Sequence, residues 1–457
     1  MDNWESVINT LCGWVWGPPL LILILIVGLY LTIVTKGIQF RYFWYAHKTA
    51  FSRHDDQAQG DISHFQAFMT ALSGTIGIGS ITGVATAIIL GGVGALFWMW
   101  AAALLGMATK FGEAILAVKY RIKDENNEMC GGPMYYIEKG MKSKWMGKLF
   151  AILGVTAAIG TGNMVQSNSV VLAVEEGFGI TPIWTGLILM VIVGVTLIRG
   201  IKSIGKVNEF LVPAMAVFYI LSGMIILALK IDQVPLAFAH IFKAAFSGHA
   251  AVGGVAGASV MLAIQMGVSR SIFSSEAGLG SSPVVAAAAK TDVPGRQALV
   301  SMCTVFITVG IVCTITGLVI MVSGALGTLN SDGGPLNASA MVLRAFDSVI
   351  PYGGLIVTIA LIPFAYSTIL GWAYCGEKYV EYLLGYRFTK GFRVVYTLLV
   401  LPGALMSLNL VWDFASLING LMTLPNLIAL FALGTIIAKE TRFFDSQLKL
   451  EKQAKGS

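Results

Sequence analysis

Long apolar runs separated by short polar segments extend along almost the whole chain. An α-helix needs about 20 predominantly apolar residues to cross the hydrocarbon core of a bilayer. Eleven runs approach or exceed that length, so the pattern predicts eleven transmembrane helices. The predicted spans are 18–34, 65–90, 95–118, 149–174, 183–198, 210–229, 255–288, 298–322, 353–374, 394–410 and 414–438.

The composition agrees with membrane insertion. Hydrophobic residues make up 56% of the 457 residues and charged residues only 12%, whereas a soluble protein carries about 25% charged residues. So few charges cannot coat a soluble protein of this length, and so apolar a chain is not disordered. The five cysteines lack the spacing of a zinc site or a disulfide framework. We therefore expect an all-α polytopic membrane protein in which residues 1–457 form a single transmembrane domain.

The basic residues fall almost entirely on one side of the predicted helices. If the N-terminus is outside, twenty-five of the 30 Lys and Arg residues lie on the cytoplasmic side and three lie outside. Cytoplasmic loops carry the excess of basic residues, so we predict a multi-pass cell-membrane protein with an external N-terminus and a cytoplasmic tail, 439–457. Because the net charge of +6 is explained by topology, the lipid bilayer is an expected partner and nucleic acid is not.

Two of the predicted spans contain glycine-rich polar segments in their middle. The second span contains Gly77-Ile78-Gly79-Ser80, and the seventh contains Gly278-Leu279-Gly280-Ser281, 201 residues later. If the first span (18–34) is an extra helix, the other ten form two groups of five, 65–229 and 255–438. Because five is odd, the two groups enter the membrane from opposite sides, which predicts an inverted repeat of five plus five helices.

Clustered glycines at these equivalent positions predict that both helices are broken. A glycine costs about 1 kcal/mol in a helix interior relative to alanine. Unwound backbone at membrane depth must face protein or a cavity, and its free N–H and C=O groups attract carboxylates and cations. The alternative is that the glycines only permit close helix packing. That alternative does not explain why Ser, Thr and Glu accompany the glycines at both positions.

Other polar residues within spans have both structural and functional interpretations. Gln166 and Asn168 either hydrogen-bond neighbouring helices or contact a ligand. Ser367 and Thr368 either bond the carbonyls around the bend at Pro363 or coordinate sodium, since hard cations prefer oxygen ligands. Glu276 either pairs with Arg270 nearby, orients its loop, or receives a substrate amine.

Together these residues favour a small zwitterionic substrate over a sugar or a strongly charged solute, because the predicted cavity offers backbone dipoles of both signs and few charges. No nucleotide loop, metal-ligand cluster or nucleophile–base pair is evident in the sequence, so we do not expect an enzyme or a cofactor. The histidines lie in loops or at span ends, which favours sodium over proton coupling. A channel is disfavoured because channels repeat a filter by oligomerisation, whereas this chain carries an internal pair.

The segments 77–85 and 273–281, with Gln166-Ser167-Asn168-Ser169, resemble the signature segments of the alanine or glycine:cation symporter family. The resemblance extends along essentially the whole chain. It implies a LeuT-type fold of ten core helices plus one extra helix, and sodium-driven uptake of alanine or glycine by alternating access. A proton-coupled or broader-specificity amino-acid transporter is the alternative. Family members usually have Asn where this chain has Ser80 and Ser275, and both replacements keep an oxygen ligand.

The resemblance also implies roles for individual residues. A sodium ion would be held by the backbone oxygens of Ser73 and Ile76 and the side chains of Ser367 and Thr368, and Thr75 and Ser80 belong to a second candidate cation site. The substrate carboxylate would lie near Gly77 and Gly79. Residues from four spans would bind the substrate: Thr75, Gly77, Gly79, Gln166, Asn168, Phe273, Ser274, Glu276, Ile369 and Trp372. Ile369 and Trp372 would cap the side-chain pocket and restrict its size.

Overall fold

The computed structural model describes residues 2–52, 58–247, 260–328, 336 and 338–456, and they are mostly helical. The first half contains α1 (Asp2–Val15), α2 (Pro18–Val34), α3 (Ile38–Arg41), α4 (Phe43–Ala50), α5 (His64–Thr75), α6 (Thr82–Gly91), α7 (Ala95–Lys119), α8 (Pro133–Gly140), α9 (Lys144–Ala157), α10 (Val165–Phe178), α11 (Pro182–Leu197), α12 (Ile201–Leu229) and α13 (Val234–Phe246). The second half contains α14 (Val260–Ser275), α15 (Ser282–Ala287), α16 (Pro294–Val305), α17 (Thr314–Val322), α18 (Ala338–Asp347), α19 (Gly353–Leu384), α20 (Thr389–Leu398), α21 (Val400–Leu405), α22 (Leu408–Ala432) and α23 (Gly434–Gly456).

Several shorter elements complete the fold. A two-stranded antiparallel hairpin follows α7, with β1 (Ile122–Lys123) paired to β2 (Met129–Cys130). One turn of 3₁₀-helix, Ile78–Ser80, lies between α5 and α6, and another, Tyr386–Phe388, precedes α20. Two π-helical segments, Ala158–Met164 and Phe306–Cys313, each join two α-helices into one longer helix.

Seven helical stretches of the described residues are long and apolar enough to cross a membrane. They coincide with the predicted spans 3, 4, 6, 8, 9, 10 and 11. The first and fifth spans correspond to the shorter apolar helices α2 and α11. The second and seventh are interrupted, and residues 255–259 of the seventh lie outside the described part of the chain. The predicted helical membrane architecture is thus confirmed, with the short β-hairpin as an exception, while the count of eleven spans stays a prediction.

Large apolar side chains on the outer helices are exposed rather than packed. Val195 on α11 is 65% exposed and Phe210 on α12 is 73% exposed. In water such a surface would be unfavourable, whereas it suits the apolar interior of a bilayer. The polar residues of the two breaks, in contrast, are buried among the helices.

Both glycine-rich helices are broken where the sequence predicts. In the first, α5 ends at Thr75 and α6 begins at Thr82; in the second, α14 ends at Ser275 and α15 begins at Ser282. The second break requires left-handed backbone, with φ of 89° at Gly278 and 88° at Gly280. Glycine reaches these angles without a Cβ clash. Glu276 also has a positive φ of 57°, which is uncommon for a residue with a side chain.

The boundaries of the last spans differ from the prediction. The tenth span was expected to cover 394–410 and the eleventh 414–438, but a turn at Met406 separates Val400–Leu405 from Leu408–Ala432. The side-chain amide of Asn168 donates to the carbonyls of Gly403 (3.3 Å), Ala404 (3.5 Å) and Met406 (2.8 Å). These bonds satisfy carbonyls that the end of the helix leaves free, so the chain can turn within the protein.

The C-terminal helix α23 packs across one end of the bundle, against α2, α7 and α16. Three acidic residues of α23 pair with basic residues at the ends of earlier helices: Asp445 with Arg41 at 2.9 Å, Glu440 with Lys119 at 2.5 Å, and Glu451 with Arg296. The predicted tail 439–457 therefore begins inside a helix docked on the protein. We call this end of the molecule, with α23, the β-hairpin and residues 288–293, the tail face.

Candidate functional site

The two helix breaks meet in the centre of the protein. The hydroxyl of Ser80 in the first break lies 2.8 Å from the hydroxyl of Ser274 beside the second, and it also donates to the carbonyl of Thr75 at 3.0 Å. The ring of Phe273 lies against Gly79, where an added Cβ would be only 2.9 Å from the ring. The structure thus brings the predicted residues Thr75, Gly79, Ser80, Phe273 and Ser274 together.

Helix α19 lies against the carbonyl end of α5. The hydroxyl of Thr368 donates to the backbone oxygen of Ser73 at 2.7 Å, and a Cβ on Gly77 would be 2.6 Å from the same hydroxyl. The side chain of Ser73 is held separately, because Asn208 of α12 donates to its hydroxyl at 3.0 Å. A backbone oxygen and a side-chain oxygen therefore lie side by side at the first break, as a sodium site requires.

Ser367 and Ile76 have different surroundings. The hydroxyl of Ser367 bonds the carbonyl of Phe364 at 3.0 Å and contacts the sulfur of Met215 at 3.6 Å. This contact directs it toward α12. Ile76 is fully buried directly after α5, and its N–H bonds the carbonyl of Leu72 at 2.7 Å. Its carbonyl stays a predicted sodium ligand.

Gln166 of α10 presents an unpaired oxygen to the first break. Its amide nitrogen donates to the carbonyl of Thr161 at 3.1 Å, but its oxygen Oε1 is buried and has no hydrogen-bond partner among the described residues. A Cβ on Gly77 would be 3.3 Å from this oxygen. Buried acceptors in native proteins are normally satisfied, so an oxygen left open beside unwound backbone is suited to a donor on a ligand.

Asn168, in contrast, is not brought to the breaks. Its amide nitrogen is used by the carbonyls at the end of α21, as described above, and its oxygen Oδ1 is buried without a hydrogen-bond partner among the described residues, so its place in the substrate wall stays a prediction. Ile369 is fully buried, and its carbonyl accepts from the hydroxyl of Tyr396 at 3.1 Å. That contact lies on the α20 side of α19.

The carbonyls freed at the second break are occupied by protein donors. The ammonium group of Lys110 on α7 donates to the backbone oxygen of Ser275 at 2.7 Å, and Asn426 on α22 donates to that of Gly278 at 2.8 Å. Asn426 also donates to Glu113 at 2.6 Å. The carbonyl of Ser73 at the first break instead accepts from the hydroxyl of Thr368, which has lone pairs of its own, so this pair of oxygens makes the first break the better place for a cation.

Glu276 and Trp372 lie on the tail side of the breaks. The carboxylate of Glu276 accepts from Ser281 at 2.7 Å, and a Cβ on Gly74 would be 3.2 Å from it. The indole of Trp372 also contacts this carboxylate. Both residues line a cavity of about 10 Å³ together with Cys375. Trp372 further packs on Gly162 in the first π-helical segment, where a Cβ would overlap the ring.

Arg270 lies away from Glu276. Its guanidinium is 5.5 Å from the ring of Trp412, which stacks on Phe273 with a centroid distance of 5.1 Å. Of the three interpretations of Glu276 from the sequence, pairing with Arg270 is therefore not what the structure shows. A cation over two stacked rings covers the site on the side opposite the tail face.

Sequence reasoning missed three side chains around the site, all from the second π-helical segment and α17. Thr308 donates to Thr75 at 3.1 Å, the sulfur of Cys313 lies 3.2 Å from Ser274, and Thr316 donates to the carbonyl of Ser80 at 3.2 Å. Thr308 and Thr316 are eight residues apart and so share one face of the helix. That spacing within an otherwise apolar span is the signal that could have found them.

Known proteins resemble this chain along its whole length. A sequence profile of the sodium:alanine symporter family matches residues 1–456. The sodium/alanine symporter AgcS of Methanococcus maripaludis is 50% identical over 456 residues, which cover 98% of this chain and 99% of that protein. The probable sodium/glutamine symporter GlnT of Bacillus subtilis is 35% identical over 450 residues, covering 98% and 92%.

A solved structure supports the fold. MhsT in complex with L-phenylalanine matches with a TM-score of 0.55 at 18% sequence identity, covering 84% of this chain and 97% of that one. At this identity the match carries information on the fold alone, and it confirms the predicted LeuT-type fold.

Proposed function

The chain belongs to the sodium:alanine symporter family, and on this premise we propose that it is a secondary-active symporter that imports small neutral amino acids, alanine and glycine, together with sodium. The members of this family are transporters, not enzymes. The observation that carries the proposal is the junction of the two breaks, where the hydroxyl of Thr368 bonds the carbonyl of Ser73 and Gln166 presents an unpaired oxygen beside Gly77.

This junction suits a zwitterion without a large side chain. Unwound backbone near Gly77 and Gly79 offers N–H groups to a carboxylate. The unpaired oxygen of Gln166 offers an acceptor to an ammonium group on the same side. The ring of Phe273, which lies against Gly79, narrows the space around these groups, and Trp372 is the predicted cap of the side-chain pocket. A substrate with a hydrogen or a methyl group as its side chain fits such limits.

Sodium binds at the first break in this proposal. The carbonyl oxygens of Ser73 and Ile76 and the hydroxyls of Ser367 and Thr368 are the ligands, and Ser367 must rotate from its contact with Met215 to join them. Thr75 and Ser80 provide the oxygen ligands of a second cation site, next to Ser274. Because both ligands use the unwound residues 76–80, each fixes backbone that the other needs.

The orientation follows from the basic residues. In this proposal the tail face, which carries α23 and the hairpin, is cytoplasmic, and the face covered by Arg270 and Trp412 is external. The site is then reached alternately from the two faces, and an inward sodium gradient drives accumulation of the amino acid.

Uptake by purified protein in liposomes tests the proposal. Radiolabelled alanine should accumulate above its external concentration when sodium is placed outside, and it should not accumulate with an equal gradient of potassium. An excess of unlabelled glycine should compete, while phenylalanine should not. Accumulation that is independent of sodium would refute sodium coupling.

A second candidate function is a transporter for larger amino acids or one coupled to protons. The similarity to a probable sodium/glutamine symporter favours testing it. In the same liposomes, a pH gradient without sodium should drive no uptake, and unlabelled glutamine should compete much more weakly than alanine. Uptake driven by the pH gradient alone would establish this second function in place of the first.

A further inference from the structure

The tail-side ends of the two broken helices are joined by main-chain hydrogen bonds. One segment, residues 59–62, precedes α5. The other, residues 287–291, begins with the last residue of α15; we call these two segments the clasp. The bonds run from Asp61 N to Ala288 O at 2.8 Å, from Lys290 N to Ile62 O at 2.9 Å and from Thr291 N to Gln59 O at 3.3 Å. Ile62 and Ala289 form a parallel β-bridge. The clasp therefore connects the first repeat directly to the second.

Arg121, directly after α7, holds both halves of the clasp at once. One guanidinium nitrogen donates to the carbonyls of Ala287 (3.0 Å) and Ala289 (2.8 Å), and the other donates to those of Gln59 (3.0 Å) and Thr291 (2.6 Å). The planar guanidinium can bond four oxygens in fixed directions, which an ammonium group cannot do. The guanidinium of Arg121 thus holds together carbonyls from the two clasp segments, which are joined to α5 and α15. These two helices extend from the clasp to the substrate site.

The hairpin that follows Arg121 is tied to the helix that carries Thr368. Asp61 of the clasp accepts from the N–H of Met129 on β2 at 2.8 Å. Lys378, ten residues after Thr368 on α19, contacts Glu381 at 2.9 Å, the sulfur of Cys130 on β2 at 3.3 Å and Asp124 at 3.5 Å. The ammonium group of Lys378 lies among these groups, so they form an ion-pair cluster and not a metal site.

The charge state of this cluster is set by its surroundings. Burial opposes ionisation of Asp124, but the N–H groups of Glu128 and Asn126 and the ammonium group of Lys378 together lower its pKa. An ionised Asp124 keeps the hairpin attached to Lys378. A path of direct contacts therefore runs from α19 through the hairpin to the clasp.

We propose that Arg121 is the positioning residue that keeps the tail-face pathway shut, and that its guanidinium must leave the clasp carbonyls before substrate can exit on that face. This proposal rests on the proposed function, because it assigns one gate of the alternating-access cycle. Arg121 acts through the ends of α5 and α15 and does not touch the substrate.

Cys375 provides a native reporter of this gate. It is 3% exposed and lines the cavity of about 10 Å³ with Gly74, Glu276 and Trp372. That cavity lies between the breaks and the clasp, since α5 and α15 run from one to the other. Opening the clasp should expose Cys375. Cys313, which contacts Ser274 from the end of the second π-helical segment, is 1% exposed and lies on the other side of the breaks, so it reports general loosening.

The test compares maleimide labelling of Cys375 and Cys313 in the purified full-length protein, with modified peptides quantified by mass spectrometry. Arg121→Ala should raise the labelling rate of Cys375 about tenfold or more, the equilibrium effect of losing one strong hydrogen bond, with Cys313 unchanged. Arg121→Lys keeps the charge but reaches fewer carbonyls, so its Cys375 rate should be intermediate. Lys123→Ala, an exposed basic residue of the same hairpin, is the matched control and should behave as wild type.

The outcomes separate the gate from the fold and from the proposed function. Equal acceleration of Cys375 and Cys313 in both Arg121 variants would mean that Arg121 only stabilises the fold, and it would overturn the proposal. Unchanged Cys375 labelling would also overturn it. Because labelling requires no transport, a wild-type protein that fails to accumulate alanine would reject the proposed function and leave the labelling result to be judged on its own.

Discussion

The hydroxyl of Thr368 donates to the backbone carbonyl of Ser73 in the last turn of α5, with an oxygen–oxygen distance of 2.7 Å. Thr368→Val removes this oxygen and replaces it with a methyl group of nearly the same volume. Helix α19 and its packing should therefore persist. The perturbation isolates one sodium ligand from the shape of the site.

The magnitude follows from the loss of one oxygen facing a charge. Hydrogen bonds and similar polar contacts to a charged group contribute about 1.5–3 kcal/mol, and each 1.4 kcal/mol corresponds to about a tenfold change in an equilibrium constant. The sodium concentration for half-maximal alanine uptake should therefore rise about 10-fold to 100-fold. At saturating sodium, the affinity for alanine should change much less, because Thr368 does not contact the substrate in this account.

Thr358→Val is the matched control. Thr358 lies ten residues earlier on α19, is fully buried, and its hydroxyl bonds the carbonyl of Gly354 at 3.1 Å, far along the helix from the breaks. This substitution removes the same group from the same helix and should leave the sodium dependence unchanged. If both variants shift the sodium dependence equally, or if Thr368→Val shifts it by less than about twofold, the assignment of Thr368 to the sodium site is refuted.

Three further substitutions test other parts of the site. Gly77→Ala should abolish alanine binding, measured by isothermal titration calorimetry, while the protein remains folded, because the new Cβ would be 2.6 Å from the Thr368 hydroxyl. Gly83→Ala is the control and should bind alanine normally, because nothing lies within 4 Å of a Cβ at that position. Trp372→Phe should let larger amino acids compete with alanine, because the smaller ring opens space at the side-chain pocket that Trp372 is predicted to cap. An unchanged competition profile would contradict this pocket role. Asn168→Ala should lower the free energy of unfolding by about 1–3 kcal/mol, because it leaves buried carbonyls unsatisfied. The dissociation constant for alanine should not change in the folded protein.

The broken helices could be predicted because their cause is local. Glycines at 77, 79, 278 and 280 disfavour helix within a few residues of sequence, and the structure breaks both helices there. It was also predictable that the hydroxyl of Thr368 would have a polar partner, since an oxygen in the middle of an apolar span needs one.

Other features depend on contacts distant in sequence. The amide of Asn168 pairs with carbonyls about 235 residues later, and nothing near Asn168 indicates that it faces the end of α21. Arg121 bonds Gln59 and Thr291, which approach each other only after both repeats have folded. The boundary at Met406 was missed for the same reason, because the amide that permits the turn comes from another helix.

Reciprocal binding of alanine and sodium to the purified protein tests the central claim most directly. Isothermal titration calorimetry can measure alanine affinity in sodium and in choline, and sodium affinity with and without alanine. If both ligands order the same unwound residues, 76–80, sodium should raise the affinity for alanine, and alanine should raise the affinity for sodium by the same factor. Alanine binding of equal affinity in choline and in sodium would contradict the account.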